Sequence, residues 1–329
     1  MLIEIEEGRE NLLKRILELL KKQGGWKLIK QYAHSGSLIS SLFIFLILGK
    51  SRTALEILRS AASLKAKQRL ERKYRKSLLE FVSKNDKETS HDSSNKVWVC
   101  WFQGLENAPE LVNRCFESLK KNLPSRDIVL ITSENMEEYV IFPDYIIKKW
   151  RDGIITHTHM TDLLRLELLI KYGGTWIDST VLCTCEEENI PSFYFDSDLF
   201  FFQDLKPGRD GHATVLSSWF ISAHSNNIIL LATRYLIYEY WKKNKYMLDY
   251  FLLHDFFQIV LEYYEEEWEN VVPVSNASPH ILLLRLFDTY DETLYKNIIQ
   301  QVPFHKLSYK FSDEQKQMPN TFYKYLLSK

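Results

Sequence analysis

The chain has 329 residues, of which 45% are hydrophobic, 14% aromatic and 26% charged. This composition excludes a disordered protein and is sufficient for one large domain with an accessory region. The formal net charge of -1 hides an asymmetry, because residues 1–95 contain 19 Lys and Arg against 11 Asp and Glu, whereas the remainder contains 23 against 32. We therefore expect the basic N-terminal region and the acidic remainder to have different roles.

The four cysteines do not predict a structural disulfide or a zinc site. They include no Cys-x-x-Cys pair and are too few for a disulfide framework. We therefore expect a reducing, cytoplasmic environment. The first 25 residues mix acidic and basic side chains, so they do not predict a secretory signal.

Residues 1–95 are predicted to be helical. Leucine and isoleucine recur at helical spacing between residues 12 and 20, which predicts an amphipathic helix that ends at two glycines. Residues 38–48 are apolar and uncharged. A membrane-spanning helix needs about 20 such residues, so this segment is expected to be buried or interfacial.

Residues 50–76 form a basic amphipathic helix, with ten Lys and Arg against two Glu. Such a helix beside an apolar one is typical of proteins that bind an anionic membrane surface. The alternative is a solvated charged face on a helix that packs against the rest of the protein. Nucleic acid is not expected as a partner, because the region lacks interleaved aromatic residues.

A polar linker at residues 83–96 predicts a domain boundary. Beyond it the predicted elements follow in the order strand 97–102, helix 110–122, strand 128–132, helix 158–172, strand 175–177, aromatic segment 193–202, strand 214–223, and helices near 227–243 and 249–264. This alternation predicts the α/β class, with a mixed, mostly parallel sheet and helices on both faces.

The segment at residues 158–181 predicts a binding site. It reads as a helix that carries Asp162 and Arg165 among leucines, then two glycines, then a short apolar strand that ends at Asp178. Paired glycines end a helix because a left-handed cap favours glycine. Open α/β sheets bind their ligands where strands end in this way.

The run HMTDLLRLELLIKYGGTWIDST, with WFQG before it and HKLSYK after it, resembles the capsular polysaccharide synthesis proteins. These are nucleotide-sugar glycosyltransferases related to family 32 and, more distantly, to the glucosylating bacterial toxins. The resemblance implies a GT-A-like domain at residues 96–329, preceded by the helical region 1–95. It also implies a bacterial enzyme, peripheral on the inner face of the cell membrane, that transfers galactose or glucose from a UDP-sugar donor to a lipid-linked oligosaccharide acceptor with retention of configuration.

The resemblance implies roles for residues that contact the base and the acceptor. Trp101 would stack on the uracil, with Gln103 and Gly104 beside the nucleotide. Trp219 and His254 would contact the acceptor. The alternative interpretation of the tryptophans and the histidine is that they are ordinary core residues.

The resemblance further implies that Asp162 and Arg165 reach the donor sugar and its phosphate. An ordinary i,i+3 helix pair is the alternative. Asp178 would contact the ribose or a metal ion, although it would alternatively cap the next turn. His159, one turn before the helix pair, is interpreted as a capping or packing histidine.

Many members of the wider group end this strand on Asp-x-Asp, which holds a divalent ion against the diphosphate. In this chain the third position is Thr180. The resemblance implies Mn²⁺ or Mg²⁺ held by Asp178, Thr180 and His305, although one carboxylate and a hydroxyl form a weaker site for a hard cation. The HKLSYK segment is expected to close over the donor, with Lys306 or Lys310 stabilising the departing UDP. A surface tail with solvated lysines is the alternative.

Two other functions fit the sequence less well. A phosphohydrolase would use Asp178 as nucleophile, but its chemistry calls for a second Asp where Thr180 stands. The protein would alternatively be a non-catalytic scaffold of a capsule complex, in which case Thr180 would indicate a metal site that has been lost.

Overall fold

The computed structural model describes residues 25–85, 92–205 and 213–329. The helix predicted near residues 12–20 lies outside these ranges. The strands are β1 (Lys96–Cys100), β2 (Asp127–Ile131), β3 (Gly174–Ile177), β4 (Val181–Cys183), β5 (Leu199–Gln203), β6 (Leu216–Ala223) and β7 (Phe304–Lys306). A five-stranded sheet has the order β2-β1-β3-β6-β5, and β4 pairs with β7 in a separate ribbon.

The sheet is mixed. Strand β1 runs parallel to β2 and β3, whereas β6 runs antiparallel to β3 and β5. The helices are α1 (Trp26–Ser35), α2 (Leu38–Leu48), α3 (Arg52–Lys84), α4 (Glu110–Asn122), α5 (Met136–Tyr139), α6 (Asp144–Arg151), α7 (His157–Tyr172), α8 (Phe193–Asp196), α9 (Ile228–Lys243), α10 (Leu252–Leu261), α11 (Glu265–Glu269), α12 (Ala277–Leu284), α13 (Glu292–Ile299), α14 (Asp313–Gln317) and α15 (Phe322–Leu327). The predicted α/β class, with a helical region before a mixed sheet, is confirmed.

The two faces of the sheet pack into different cores. Successive side chains of a strand point to opposite faces. In β1, Val97 and Val99 therefore lie in one core with residues of α4 and α8, whereas Trp98 and Cys100 lie in another with α7, α9 and α10. The sheet is thus covered on both faces, which leaves the ends of its strands as the place for a ligand.

Helix α3 packs against the α/β domain. Its residues Leu70, Tyr74 and Leu78 are buried in the core that α9 and α10 share. The Tyr74 ring contacts Phe256 edge-on at a centroid distance of 5.3 Å, and Lys67 pairs with Glu262. One face of α3 therefore packs against the domain, while membrane contact by its basic face and the domain division at residue 95 stay predictions.

Helix α2 exposes most of its apolar side chains. Ile39 is 84% exposed and Phe43 is 63% exposed, and Leu42, Leu46 and Ile47 are exposed as well. Within the described ranges no single helix is both long and apolar enough to cross a membrane, and the segments Leu28–Ser35 and Leu38–Leu48 pass that test only as a pair bent by 117°.

Candidate functional site

Helix α7 and strand β3 place the site residues at the carboxyl end of the sheet. Thr156 caps α7 by accepting a hydrogen bond from the His159 backbone at 3.2 Å. Gly173 and Gly174 then join the helix to β3 with φ angles of 65° and 94°. A Cβ on Gly174 would lie 2.4 Å from the Lys96 carbonyl oxygen, so only glycine fits where β3 passes β1.

Asp162, Arg165 and Asp178 converge as the sequence predicts. The Arg165 guanidinium donates to Asp162 at 2.5 Å through Nη1 and to Asp178 at 3.2 Å through Nη2. It also lies over the Trp176 ring, 4.8 Å from its centroid, and the Trp176 indole donates to Asp178 at 2.9 Å. The arginine side chain is only 4% exposed, whereas that of Asp178 is 27% exposed. Asp178 is therefore the member of this group that a ligand can approach most readily.

Lys306 joins the same group from a distant part of the chain. Its ammonium donates to Asp178 Oδ2 at 2.8 Å and to Thr180 Oγ1 at 2.6 Å. The β4–β7 ribbon fixes this geometry, because Val181 pairs with Lys306 and the Leu307 N–H donates to the Thr180 carbonyl at 2.9 Å. The ammonium thus lies between the two side chains that were expected to hold a metal ion.

Both carboxylates of the cluster are ionised at neutral pH. Burial raises the pKa of Asp178, but the charges of Lys306 and Arg165 outweigh this effect and lower it below the ordinary value. Burial likewise raises the pKa of Asp162, and the hydrogen bond from His159 and the charge of Arg165 reverse that effect. The cluster therefore contains two anions and two cations.

His159 is more than a packing residue, because its side chain orients Asp162. The Trp241 indole N–H donates to His159 Nε2 at 2.9 Å. Since Nε2 is the acceptor, the proton of the neutral ring lies on Nδ1, which is 3.3 Å from Asp162 Oδ2. Sequence reasoning missed Trp241, because it lies 82 positions away and no local pattern connects it to the histidine.

Trp101 follows β1 at the same edge of the sheet. Trp98 pairs with Trp176, so the parallel register brings the ends of β1 and β3 level. The half-buried Trp101 ring meets Tyr309 edge-on at 5.2 Å, and its indole nitrogen has no hydrogen-bond partner within the described residues. Sequence reasoning named the HKLSYK segment but not Tyr309 as the residue in contact with this ring.

Gln103 and Gly104 form the turn after Trp101. Gln103 is exposed, and Gly104 has a φ angle of 77°. A Cβ at Gly104 would lie within 2.1 Å of the Glu106 carboxylate, which is the end of a flexible side chain. The backbone conformation, more than the available space, therefore favours glycine here.

His305 and Lys310 are not brought to Asp178. Strand alternation directs His305 to the side opposite Lys306, where it is fully buried and its Nε2 lies 3.1 Å from Thr184 Oγ1. Burial lowers the pKa of His305 to about 4. Lys310 is exposed, and its ammonium lies 5.6 Å from the centroid of the neighbouring Tyr309 ring.

The two residues expected at the acceptor differ in position. Trp219 stacks on Phe202 at 4.5 Å and its indole donates to Asn276 at 2.9 Å, so its side chain belongs to the core. His254 lies near the cluster, since the charges of Asp162, Arg165 and Asp178 act on it. Burial lowers the pKa of His254 to about 4, and its Nδ1 has no partner among the described residues. It is therefore neutral at pH 7.

The side chains around Asp178 do not form a ligand set for a divalent ion. Nowhere in the described ranges do three His, Cys, Asp or Glu side chains lie close enough together to hold a metal. Both Asp178 oxygens and the Thr180 hydroxyl already accept hydrogen bonds from cations or an indole. The expectation of Mn²⁺ or Mg²⁺ held with His305 stays a prediction, and this geometry argues against it.

Comparison with known proteins gives a family match over most of the chain. Residues 50–326 match the family model for the capsular polysaccharide synthesis protein. A solved structure named PaToxG Glycosyltransferase aligns with 80% of this chain and 95% of its own, at 16% identity and a TM-score of 0.35.

Similar curated proteins come from fungi. The O-glycosyltransferase braB of Annulohypoxylon truncatum is 33% identical over 96 residues, which cover 26% of this chain and 23% of braB. The O-glycosyltransferase PaGT of Phomopsis amygdali is 23% identical over 153 residues, which cover 42% of this chain and 37% of PaGT. The chain thus spans well under half the length of these relatives, and the bacterial origin implied by the resemblance stays a prediction.

Proposed function

Since the chain belongs to the capsular polysaccharide synthesis protein family, we propose that it is a glycosyltransferase. It transfers a hexose, galactose or glucose, from a UDP-sugar to a lipid-linked intermediate of a capsular repeat unit. The names of the curated relatives support the reaction class. The observation that carries the proposal is the convergence of two cations, Arg165 and Lys306, on the strand-terminal carboxylate of Asp178.

An unused donor of this cluster suits a diphosphate. A lysine ammonium has three N–H groups, and within the described residues Lys306 uses two of them, on Asp178 and Thr180. The third is available to a phosphate oxygen. Arg165 is only 4% exposed and contributes its positive charge from below the surface of the site. A charge-assisted hydrogen bond from Lys306 would bind the donor through its diphosphate.

The neighbouring side chains suit the rest of the donor. Trp101 offers an aromatic face for the uracil, and its edge-on contact with Tyr309 holds the ring in one orientation. Asp162, oriented by His159, has the hydrogen-bonding capacity to bind a sugar hydroxyl beside the diphosphate. The site thereby combines a base platform, a diphosphate clamp and a group that orients the sugar.

The proposed transfer retains the anomeric configuration. The bond between the anomeric carbon and the diphosphate oxygen breaks, and the acceptor oxygen attacks from the same face. The acceptor's proton passes to the departing diphosphate oxygen, so no side chain acts as a base. Lys306 and Arg165 stabilise the charge that develops on the UDP, which is the role in which fixed cations contribute most to catalysis.

Turnover of UDP-sugars by the purified protein tests this proposal. UDP-glucose and UDP-galactose are supplied separately with lipid-linked acceptor, and released UDP and transferred radiolabel are both measured. We expect acceptor-dependent UDP release and its loss in Asp178→Asn. A protein that consumes neither donor contradicts the proposal, and phosphate release from simple phosphate esters would favour a phosphohydrolase.

We also propose that α2 binds the enzyme to an anionic membrane at the inner face of the cell membrane. The exposed apolar side chains of α2, Ile39 and Phe43 among them, favour partial insertion into lipid. The helix carries no charge, and the exposed cations Lys50 and Arg52 follow it directly. This arrangement complements a negatively charged lipid surface, where a lipid-linked acceptor is found.

Flotation with liposomes tests the membrane proposal. Ile39→Asp together with Phe43→Asp should abolish flotation with anionic liposomes, whereas Ile141→Asp should not, because Ile141 is 91% exposed but lies outside α2. Raising the salt concentration should weaken binding, since the screening length falls to about 10 Å at 0.1 M salt. Equal flotation of the two variants would contradict the proposal.

A further inference from the structure

We infer that Lys306 takes the place of a divalent cation and that this protein binds and uses its donor without a metal ion. The inference rests on the proposed function and concerns the same site. The Lys306 ammonium lies 2.8 Å from Asp178 and 2.6 Å from Thr180. In this chain these two side chains stand at the first and third positions of the Asp-x-Asp metal-binding motif.

The side chains of Asp178 and Thr180 together carry the charge that neutralises one monovalent cation. Asp178 supplies one negative charge and Thr180 supplies none, so the single positive charge of Lys306 neutralises the pair. Divalent ions such as Mg²⁺ bind through carboxylates and several further oxygens. Here one carboxylate would face the ion alone, because His305 points to the opposite side of β7. A site with one carboxylate and one hydroxyl, in place of two carboxylates, therefore suits a monovalent ammonium better than a divalent ion.

The ribbon geometry makes Lys306 a fixed part of the site. Strand β7 pairs with β4 so that Val181 lies opposite Lys306, and Leu307 donates to the Thr180 carbonyl. The lysine side chain is 19% exposed, so it is held against the carboxylate and is still accessible to a ligand. A metal ion would have to displace this ammonium from both of its acceptors.

The other Asp178 oxygen is occupied as well. Oδ1 accepts hydrogen bonds from Arg165 at 3.2 Å and from the Trp176 indole at 2.9 Å. The carboxylate is therefore engaged on both sides before a ligand arrives. The diphosphate would meet the Lys306 ammonium, which has a third N–H group, with the buried positive charge of Arg165 behind it.

Nucleotide and manganese binding test the inference in the full-length protein. UDP affinity is measured by calorimetry with a chelator and again with Mn²⁺, and Mn²⁺ binding alone is followed by electron paramagnetic resonance. We expect equal UDP affinity in both conditions and no stoichiometric Mn²⁺ binding. UDP-sugar turnover should likewise be insensitive to the chelator.

Matched variants identify the residue responsible. Lys306→Ala should weaken UDP binding roughly 10- to 100-fold, because a hydrogen bond from a charged donor is lost. Lys296→Ala should have no effect, since this exposed lysine pairs with Glu292 on α13. The double variant Thr180→Asp, Lys306→Ala rebuilds Asp-x-Asp and should bind Mn²⁺ and make UDP binding sensitive to the chelator.

The outcomes separate this inference from the proposed function. Wild-type protein that binds UDP only with Mn²⁺ overturns the inference and leaves the glycosyltransferase proposal intact. Protein that binds UDP in neither condition overturns both. These two results need only the wild-type protein, so a variant that fails to fold does not decide the matter.

Discussion

Replacing Gly174 by alanine tests how the sheet positions the site. Gly174 has a φ angle of 94°, a conformation that costs alanine about 1–2 kcal/mol. Its added Cβ would lie 2.4 Å from the Lys96 carbonyl oxygen, although real Cβ contacts are essentially never under 3.0 Å. Strands β1 and β3 must therefore separate by at least 0.6 Å at this point, since the carbonyl oxygen is a backbone atom and the backbone of residue 174 fixes the position of the Cβ.

Gly153 provides the matched control. Its φ angle is 70°, but a Cβ built on it meets no atom within 4 Å. Gly153→Ala therefore carries only the conformational cost, whereas Gly174→Ala adds the steric cost of overpacking, about 1–3 kcal/mol. We expect Gly174→Ala to be the more destabilising variant by this difference.

Urea unfolding followed by tryptophan fluorescence and far-UV circular dichroism measures the difference. The free energy of unfolding should fall by about 2–5 kcal/mol in Gly174→Ala and by about 1–2 kcal/mol in Gly153→Ala. UDP-sugar turnover should fall only in Gly174→Ala, because β3 carries Asp178 and small displacements of catalytic groups are costly. Equal free energies of unfolding for the two variants, within about 0.5 kcal/mol, would show that the Cβ contact with the Lys96 carbonyl adds no cost.

Three further predictions concern buried polar contacts. Trp98→Phe should lower the free energy of unfolding by about 1–3 kcal/mol, because the buried indole donates to the Gly173 carbonyl at 2.9 Å; an unchanged urea midpoint would contradict this. His159→Phe should cost about 1.5–3 kcal/mol in unfolding experiments, since the hydrogen bond to the Asp162 carboxylate is lost; a stability equal to wild type would show that the contact is unimportant. The lowered pKa values of Asp162 and Asp178 stabilise the fold above the unfolded value near 3.8, and this contribution is lost as the pH falls through the folded values. Asp178→Asn should therefore flatten the decrease of stability below about pH 4 in acid unfolding, and an unchanged slope would contradict the assignment.

The sequence predicted the elements whose patterns are local. The helix at residues 110–122 has the bounds of α4, and the strand before Asp178 lies where the glycine pair and apolar run indicated. Asp162 and Arg165 share one helix face because their spacing of three requires it. These features depend on neighbouring residues only, so one sequence suffices to predict them.

Contacts between distant segments could not be predicted in the same way. The choice between His305 and Lys306 depends on the register of β7 against β4, which brings one of two adjacent side chains to Asp178. The amphipathic pattern of α3 is likewise the same for a helix that faces lipid and one that faces a protein core. Contacts with distant residues, such as that of Tyr74 with Phe256, show that one face of α3 packs against protein.

The selectivity of the site for a second phosphate shows whether Lys306 binds the diphosphate of the donor. UDP and UMP binding are compared by calorimetry in wild type, Lys306→Ala and Lys296→Ala. We expect wild type and Lys296→Ala to bind UDP at least about tenfold more tightly than UMP, because the Lys306 ammonium donates to the second phosphate. This preference should largely disappear in Lys306→Ala. Wild-type protein without any preference for UDP, or an undiminished preference in Lys306→Ala, would show that Lys306 does not bind the diphosphate.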